Sequence, residues 1–319
     1  MTRQFTITEG KRESLPLFIG LTGPSSSGKT RSAFELAVGI QSIVGGDIVF
    51  INTEGRRGLL DIDRYGGKIK HMSFSAPYAS LDYLAAIKQA TEAGAKTIVI
   101  DSMSHEHESE GGMLDYQDQE LRRLAGDDYG SWKADKYNML AWQKPKAARR
   151  QLLTRGIMQA DVNIIATFRA KETSKPVRVD GKTKIVQMGF TPIAGDEFVF
   201  EMALSAFLPP MSAGVPDWHP ENPGERLAVK RNDQLAHIVP DGAQLSQDIG
   251  AALARWARGA PSQPAADPIN DYAKRLAAAI KSGDGASFWA ETEPERDTLA
   301  IPDDRLEKMA AAATKSKNT

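Results

Sequence analysis

Short apolar runs alternate along the chain with longer segments in which apolar residues recur at three- and four-residue intervals. Leu15-Pro16-Leu17-Phe18-Ile19-Gly20-Leu21-Thr22 is the first run and Asp47-Ile48-Val49-Phe50-Ile51-Asn52-Thr53 the second. A strand buried on both faces looks like this. Between them Ala33, Phe34, Ala37, Ile40 and Val44 keep helical spacing. Leu81, Leu84, Ala85 and Ile87 mark another helix, with Ser80 placed to cap it, and Thr97-Ile98-Val99-Ile100-Asp101 is a third strand. A polar helical region follows, with Gly111-Gly112 near its start and Leu121 and Leu124 on one face. A helix is expected from near Pro145 to Ala160, since proline suits a first helical turn. Val162 to Phe168 is the fourth strand. Strand and helix in this order predict a mainly parallel α/β sheet with helices on both faces.

The pattern changes after residue 190. Phe198, Phe200, Met202, Leu204, Ala206 and Leu208 alternate as on one face of a long strand. Residues 226–231 and 235–239 are shorter strand candidates, expected to extend the sheet in antiparallel fashion. Residues 251–257 read as a short helix, and 259–268, rich in Pro and Ala, as a linker. Beyond it Tyr272, Leu276 and Ile280 share a helix face, with Trp289, Leu306 and Met309 on further segments. The expected organisation is one domain over 1–258, a linker over 259–268 and a small helical tail over 269–319. Residues 1–16 read as a polar lead-in, with one strand at Phe5-Thr6-Ile7.

Composition narrows this picture only a little. The 319 residues are 41% hydrophobic and 25% charged, ordinary for a globular chain with a sizeable core. No apolar run is long enough to cross a bilayer and Met1 opens no secretory signal pattern, so no membrane partner is expected. The absence of cysteine excludes disulfides and cysteine-ligated metals and fits a reducing cytoplasm. A net charge of −1 does not announce nucleic-acid binding. Its distribution says more. Asp101 to Asp128 holds nine acidic and two basic residues, and Lys133 to Lys184 thirteen basic and four acidic. The two segments either balance each other as solvated faces or leave the basic one to meet phosphate.

The chemistry concentrates at Gly23-Pro24-Ser25-Ser26-Ser27-Gly28-Lys29-Thr30, which fits the phosphate-loop pattern G-x-x-x-x-G-K-[ST] at every fixed position. Glycines let successive backbone N–H groups curl around a phosphate. Lys29 is expected on the β- and γ-phosphates, Thr30 on Mg²⁺, and the following helix aims its positive end at the anion. Strand before and helix after supply the confirming context. Asp101, ending an apolar strand, is the expected acid on the metal side. Glu54, just after the second strand, is the candidate that deprotonates the attacking water. In a parallel sheet the C-terminal strand ends line the crevice, which gathers Thr22, Thr53, Asp101 and Phe168 around one site.

These segments together resemble a RecA-like P-loop ATPase core. They resemble more narrowly the phage- and prophage-encoded AAA-family ATPases related to single-strand annealing proteins. The resemblance is carried by residues 16–23 running into the phosphate loop, by 52–56, 101–105, 110–112 and 142–146, and by 166–171 and 200–202. It spans about residues 10–258. It implies a RecA-like P-loop core, to which the residue pattern adds an antiparallel extension and a small C-terminal helical segment; residues 265–319 lie outside the resemblance. It implies ATP and Mg²⁺ as cofactors and hydrolysis through Glu54. Phage recombination or replication on single-stranded DNA follows as the role, performed as a homo-oligomer in the cytoplasm of a phage-infected or lysogenic bacterium. A single-strand-binding or other replication protein is a further expected partner. Carried over by position, Lys29 and Thr30 contact nucleotide and metal, and Asp101 is the metal-side acid. Thr167 or Arg169 stands where a γ-phosphate sensor lies. Arg169, Lys171, Lys182 and Lys184 are candidates for a cation donated to a neighbouring subunit.

Other features carry less. His105-Glu106-His107-Glu108 lacks zincin spacing and reads as polar loop near the crevice. Phe288, Trp289 and Trp256 fit helical cores, whereas Trp132, Tyr137 and Trp142 lie among lysines as in a base-stacking groove. Two other function classes stay open at this point. One is a non-enzymatic ATP switch or loader that docks a replication protein. The other is a small-molecule kinase with a basic lid over 169–184.

Overall fold

The computed structural model describes residues 15–179, 182–195, 197–259, 268–299, 301 and 303–315. Strand β1 (Phe18–Gly23) runs through the phosphate loop into α1 (Lys29–Val44), followed by β2 (Asp47–Asn52), β3 (Ile69–Ser73), α2 (Ser80–Glu92) and β4 (Ala95–Asp101). Then come four helices, α3 (Ser104–Glu108), α4 (Met113–Ala125), α5 (Asp135–Ala141) and α6 (Gln143–Gln151). The last continues as a π-helix over Leu152–Met158. Strands β5 (Asn163–Val179) and β6 (Lys182–Pro192), helix α7 (Glu197–Glu201) and strand β7 (Leu204–Phe207) follow. Helices α8 (Pro223–Arg226), α9 (Asp233–Ala236) and α10 (Gln247–Ala257) end this part of the chain.

The sheet order is β3-β2-β4-β5-β1-β7, parallel throughout, with β6 antiparallel to the outer part of β5. Period-two geometry sorts the apolar runs onto two faces. Ile19, Leu21, Ile48, Phe50, Val99 and Ile165 pack with Phe34, Leu36 and Leu253, under α1 and α10. Val49, Ile51, Ile98, Ile100, Ile164 and Phe168 pack with Tyr83, Ile87 and Leu152 on the other face. Each such side chain, fully buried, contributes about 1.5–3 kcal/mol. Two-sided burial is the reason the strands read as unbroken apolar runs.

Several expectations are corrected. Residues 198–208 are not one strand. Phe198 in α7 and Met202 just after it are four apart and buried, while Phe200 between them is 74% exposed. Only Leu204–Phe207 is strand, and it pairs parallel with β1. Residues 226–239 hold the end of α8, the short helix α9 and irregular chain rather than two strands, and pair with the sheet only at one antiparallel bridge, Ser205 to Lys230. Asn232 accepts the Leu235 N–H (2.9 Å) and so starts a helix there. Ser80 is the first residue of α2 rather than its cap, and its hydroxyl donates to Glu106 Oε1 (2.5 Å). The fourth strand runs on to Val179, and the antiparallel extension is its hairpin with β6. The edge strand β3 buries little beyond Ile69 and carries no apolar run to announce it. The expected strand at Phe5-Thr6-Ile7 and most of the expected linker lie outside the described residues.

By contacts the chain divides into a unit over 1–262 and a second over 263–319. The second holds α11 (Pro268–Ser282), α12 (Gly285–Glu291), α13 (Glu293–Leu299) and α14 (Asp303–Lys315). Tyr272, Leu276 and Ile301 centre its core, with Phe288, Trp289, Leu306 and Met309 against them. Among the described residues no helix is long and apolar enough to cross a membrane.

Candidate active site

The phosphate loop is held open from behind. Strand β1 ends at Gly23, Ser26 and Gly28 take left-handed conformations (φ 63° and 92°), and α1 begins at Lys29. A Cβ on Gly23 would lie 2.3 Å from the Leu208 carbonyl oxygen, and one on Gly28 2.7 Å from the Gly214 nitrogen. Both glycines therefore meet backbone that a side chain would displace. That backbone follows β7: Leu208 N donates to Thr22 O (2.7 Å), while Gly214 N (3.1 Å) and Ser212 Oγ (3.2 Å) donate to Ser27 O. No local pattern marks residues 208–214 for this task, because the contact exists only once β7 lies beside β1. Within the loop, Ser27 Oγ donates to Pro24 O (2.9 Å), and Ser25 and Ser26 are exposed. Lys29 folds back on the loop, with Nζ donating to Pro24 O at 2.6 Å. Burial lowers its pKa, against the raising influence of Asp101 and Glu54. The loop's N–H groups and the start of α1 form an anion cradle.

At the inner end of the crevice, Thr30 Oγ1 donates to Asp101 Oδ2 (2.5 Å) and Thr167 Oγ1 donates to Asp101 Oδ1. Thr30 opens α1, Asp101 ends β4 and Thr167 lies in β5, so adjacent parallel strands bring the three together. Asp101 is 4% exposed, and burial pushes its pKa up despite the two hydroxyl bonds. A buried carboxylate served by hydroxyls and placed beside an anion cradle suits a hard, oxygen-seeking cation. Thr30 and Asp101 would hold Mg²⁺ here, where the ion would neutralise phosphate charge.

At the outer end stands Glu54. Asn52 Oδ1 accepts its N–H (2.9 Å), which shapes the turn leaving β2. Arg169 grips both carboxylate oxygens, with NH2 at 2.6 Å from each and Nε 3.0 Å from Oε1. His105 Nε2 lies 3.2 Å from Oε1. The hydrogen bond from His105, together with Arg169, outweighs burial and brings the Glu54 pKa down to about 2. Glu54 is thus in the expected crevice but as an ion-pair partner. Nothing in the sequence pairs it with Arg169, 115 positions away. A cleft of about 750 Å³ joins both ends and continues past Arg57 and Leu60.

The remaining candidates fall elsewhere. Lys171 pairs with Glu108 (3.5 Å), Lys184 is exposed along the hairpin, and the Lys182 side chain lies outside the described residues. Glu106 is buried in a bond pair with Arg149 (2.6 and 3.1 Å), and among the described residues no group of three or more His, Asp or Glu side chains could hold a metal. Trp132 is 81% exposed, while Lys136 and Lys146 cover the rings of Tyr137 and Trp142. Acidic and basic segments partly balance each other through Glu120–Lys144 (2.9 Å), Asp128–Lys136 (4.0 Å) and Glu106–Arg149. Phe288 and Trp289 are core residues of the second unit, and Trp256 packs against the core under α10.

A family model described as an AAA domain matches residues 16–197. Among solved structures, the KaiC-like protein of the hyperthermophilic archaeon Pyrococcus horikoshii is similar at 16% identity over 56% of this chain and 88% of its own, with a TM-score of 0.25. No curated protein sequence matches. The matched segment takes in more than half of the chain, from the phosphate loop through Glu54 and Asp101 to Thr167 and Arg169. The chain belongs to the AAA domain family of P-loop ATPases.

Proposed function

We propose that this protein is a Mg²⁺-dependent ATPase that acts on single-stranded DNA as a homo-oligomer, in phage recombination or replication. The observation that carries the ATPase reading is the convergence of Lys29, the Thr30–Asp101–Thr167 chain and the Glu54–Arg169 pair on one crevice. A triphosphate entering the cradle would draw Lys29 from the Pro24 carbonyl, because a phosphate oxygen is the stronger acceptor. The same charge competes for Arg169, whose side chain is 42% exposed. Arg169 leaving Glu54 for the γ-phosphate frees the carboxylate to take a proton from water. Glu54, held by His105 and Arg169 at a pKa of about 2, is a poor base, and losing Arg169 to the nucleotide makes it a better one.

The DNA reading is supported by the hairpin that continues β5 past Arg169. Lys175, Arg178 and Lys184 are exposed on it, without an ion-pair partner among the described residues, and Ile185 is 74% exposed. A two-stranded ribbon has little stability of its own, and unpaired cations suit a polyanion. ATP hydrolysis by the parent and by Glu54→Gln, with and without single-stranded DNA, tests both halves. Glu54→Gln is expected to bind ATP yet turn over about 10²–10⁴-fold more slowly. DNA is expected to raise the parent rate. Parent-like hydrolysis by Glu54→Gln removes Glu54 as the base. Indifference to DNA, with stimulation by a replication protein instead, turns the reading to a loader.

A further inference from the structure

We infer that His105 is a positioning residue for ATP hydrolysis, holding one oxygen of Glu54 so that the other faces the attacking water. The inference rests on the reading of Glu54 as the base. Glu54 is ionised and can only accept, so the His105 nitrogen 3.2 Å from Oε1 carries the proton. The ring side chain is 12% exposed and stands edge-on to Tyr78, centroids 4.7 Å apart. Its other nitrogen, Nδ1, is buried with no hydrogen-bond partner among the described residues. An unpaired buried acceptor costs stability that a purely packing ring would not incur. The bond to Glu54 is the polar contact that ring makes.

The platform beneath the ring is rigid. Helix α3 carries His105, and the next residue, Glu106, is fully buried with Arg149 on both of its oxygens and Ser80 Oγ on one. Ser104 Oγ accepts the Arg169 N–H (2.8 Å), tying α3 to β5. Tyr78, packed against the ring, donates to Thr53 O (3.3 Å). The two groups on Glu54 therefore differ in kind. Arg169 has a long, half-exposed side chain that can swing to a phosphate. His105 is short, enclosed and anchored. His105 binds Oε1, whereas Oε2 is held by Arg169 alone among the groups named here. Once Arg169 swings away, Oε1 stays fixed and Oε2 is open. In the reaction a water proton passes to Oε2. The water oxygen bonds the γ-phosphorus, and the bond from that phosphorus to the bridging oxygen breaks with its electron pair leaving on ADP.

Steady-state kinetics of His105→Leu, His105→Gln, His105→Asn and Glu54→Gln with Mg-ATP test this. His105→Leu is expected to lower kcat on the order of 10- to 100-fold with KM within about twofold, as for a misplaced catalytic group. His105→Gln, whose amide N–H can reach Oε1, is expected to recover most of the rate, and the shorter His105→Asn is not. Parent-like turnover by His105→Leu overturns the inference. So do equal rates for His105→Gln and His105→Asn, which would make the ring's packing the cause; this pair also decides the matter if His105→Leu does not fold. Glu54→Gln separates the two claims. If it is inactive while His105→Leu is as fast as the parent, only the role of His105 fails. If it turns over like the parent, the base itself is misassigned.

Discussion

The two ends of the crevice hold carboxylates in opposite conditions. Asp101, at the inner end, is almost wholly buried, has hydroxyls for partners, and has its pKa pushed up by burial. Glu54, at the outer end, is partly exposed, gripped by a guanidinium and an imidazole, and drawn down to about 2. The inner carboxylate has no ion-pair partner among the described residues and would gain from a cation brought from outside. The outer charge is already met by the protein's own cation, which must be given up before the carboxylate can act as a base. On the proposed reading, one strand pairing separates a site that recruits a cation from a site that releases one.

The largest effect comes from removing the cradle that serves both ends. Lys29→Ala is expected to weaken ATP binding on the order of 100-fold or more in calorimetry, since a charge-assisted contact to phosphate is lost. Undiminished heat of binding would mean that the nucleotide sits elsewhere. Next in size is a paired comparison of neutral carboxylate replacements. Asp101→Asn is expected to lose Mg²⁺-dependent turnover by about 10³-fold. In metal-free buffer it should hold or gain thermal stability, because it removes a buried charge that no cation pairs. Glu54→Gln should instead lose about 1 kcal/mol, because it breaks a partly solvent-screened ion pair. If both variants shift the melting temperature in the same direction, the contrast drawn above fails.

The smallest effect is a pH dependence. The pKa of Glu54 is depressed in the folded chain from an ordinary 4.5 to about 2. Its ion pair therefore contributes stability in full above about pH 4.5, and that contribution fades as pH falls toward 2. Arg169→Gln is expected to be less stable than the parent by about 1 kcal/mol near pH 6, with the gap narrowing steadily toward pH 3. Urea midpoints across that range measure it. A gap that widens on acidification would contradict the assigned direction.

Much of this site is legible in short stretches of sequence. Gly23 to Thr30 declares itself because each position answers a local demand: backbone approach at the glycines, charge at Lys29, a hydroxyl at Thr30. Glu54 and Asp101 are found because strand ends in a parallel sheet face the ligand side. Other parts have no such local signal. Phe198 and Met202 fit period two and a four-residue helical step equally well, and packing against Arg149 and Phe168 decided between them. Residues 208–214 back the phosphate loop only because β7 settled beside β1. Residues 105–108 read as polar loop but lie in α3, with Glu106 fully buried, and their partners come from distant parts of the chain: Glu54 for His105, Arg149 for Glu106, Lys171 for Glu108.

Local order in the chain was enough to point to a parallel α/β core, a phosphate loop and the two acids at strand ends beside it. These follow from hydrophobic period, glycine placement and strand polarity, all of which act within a few residues. Which cation meets which carboxylate was settled in three dimensions. Arg169 reaches Glu54 because β5 and the end of β2 flank β4, and Asp101 is left with hydroxyls because its own strand is sealed on both sides. Charge pairing depends on distance in space and on burial, and neither is encoded at the position of the charge.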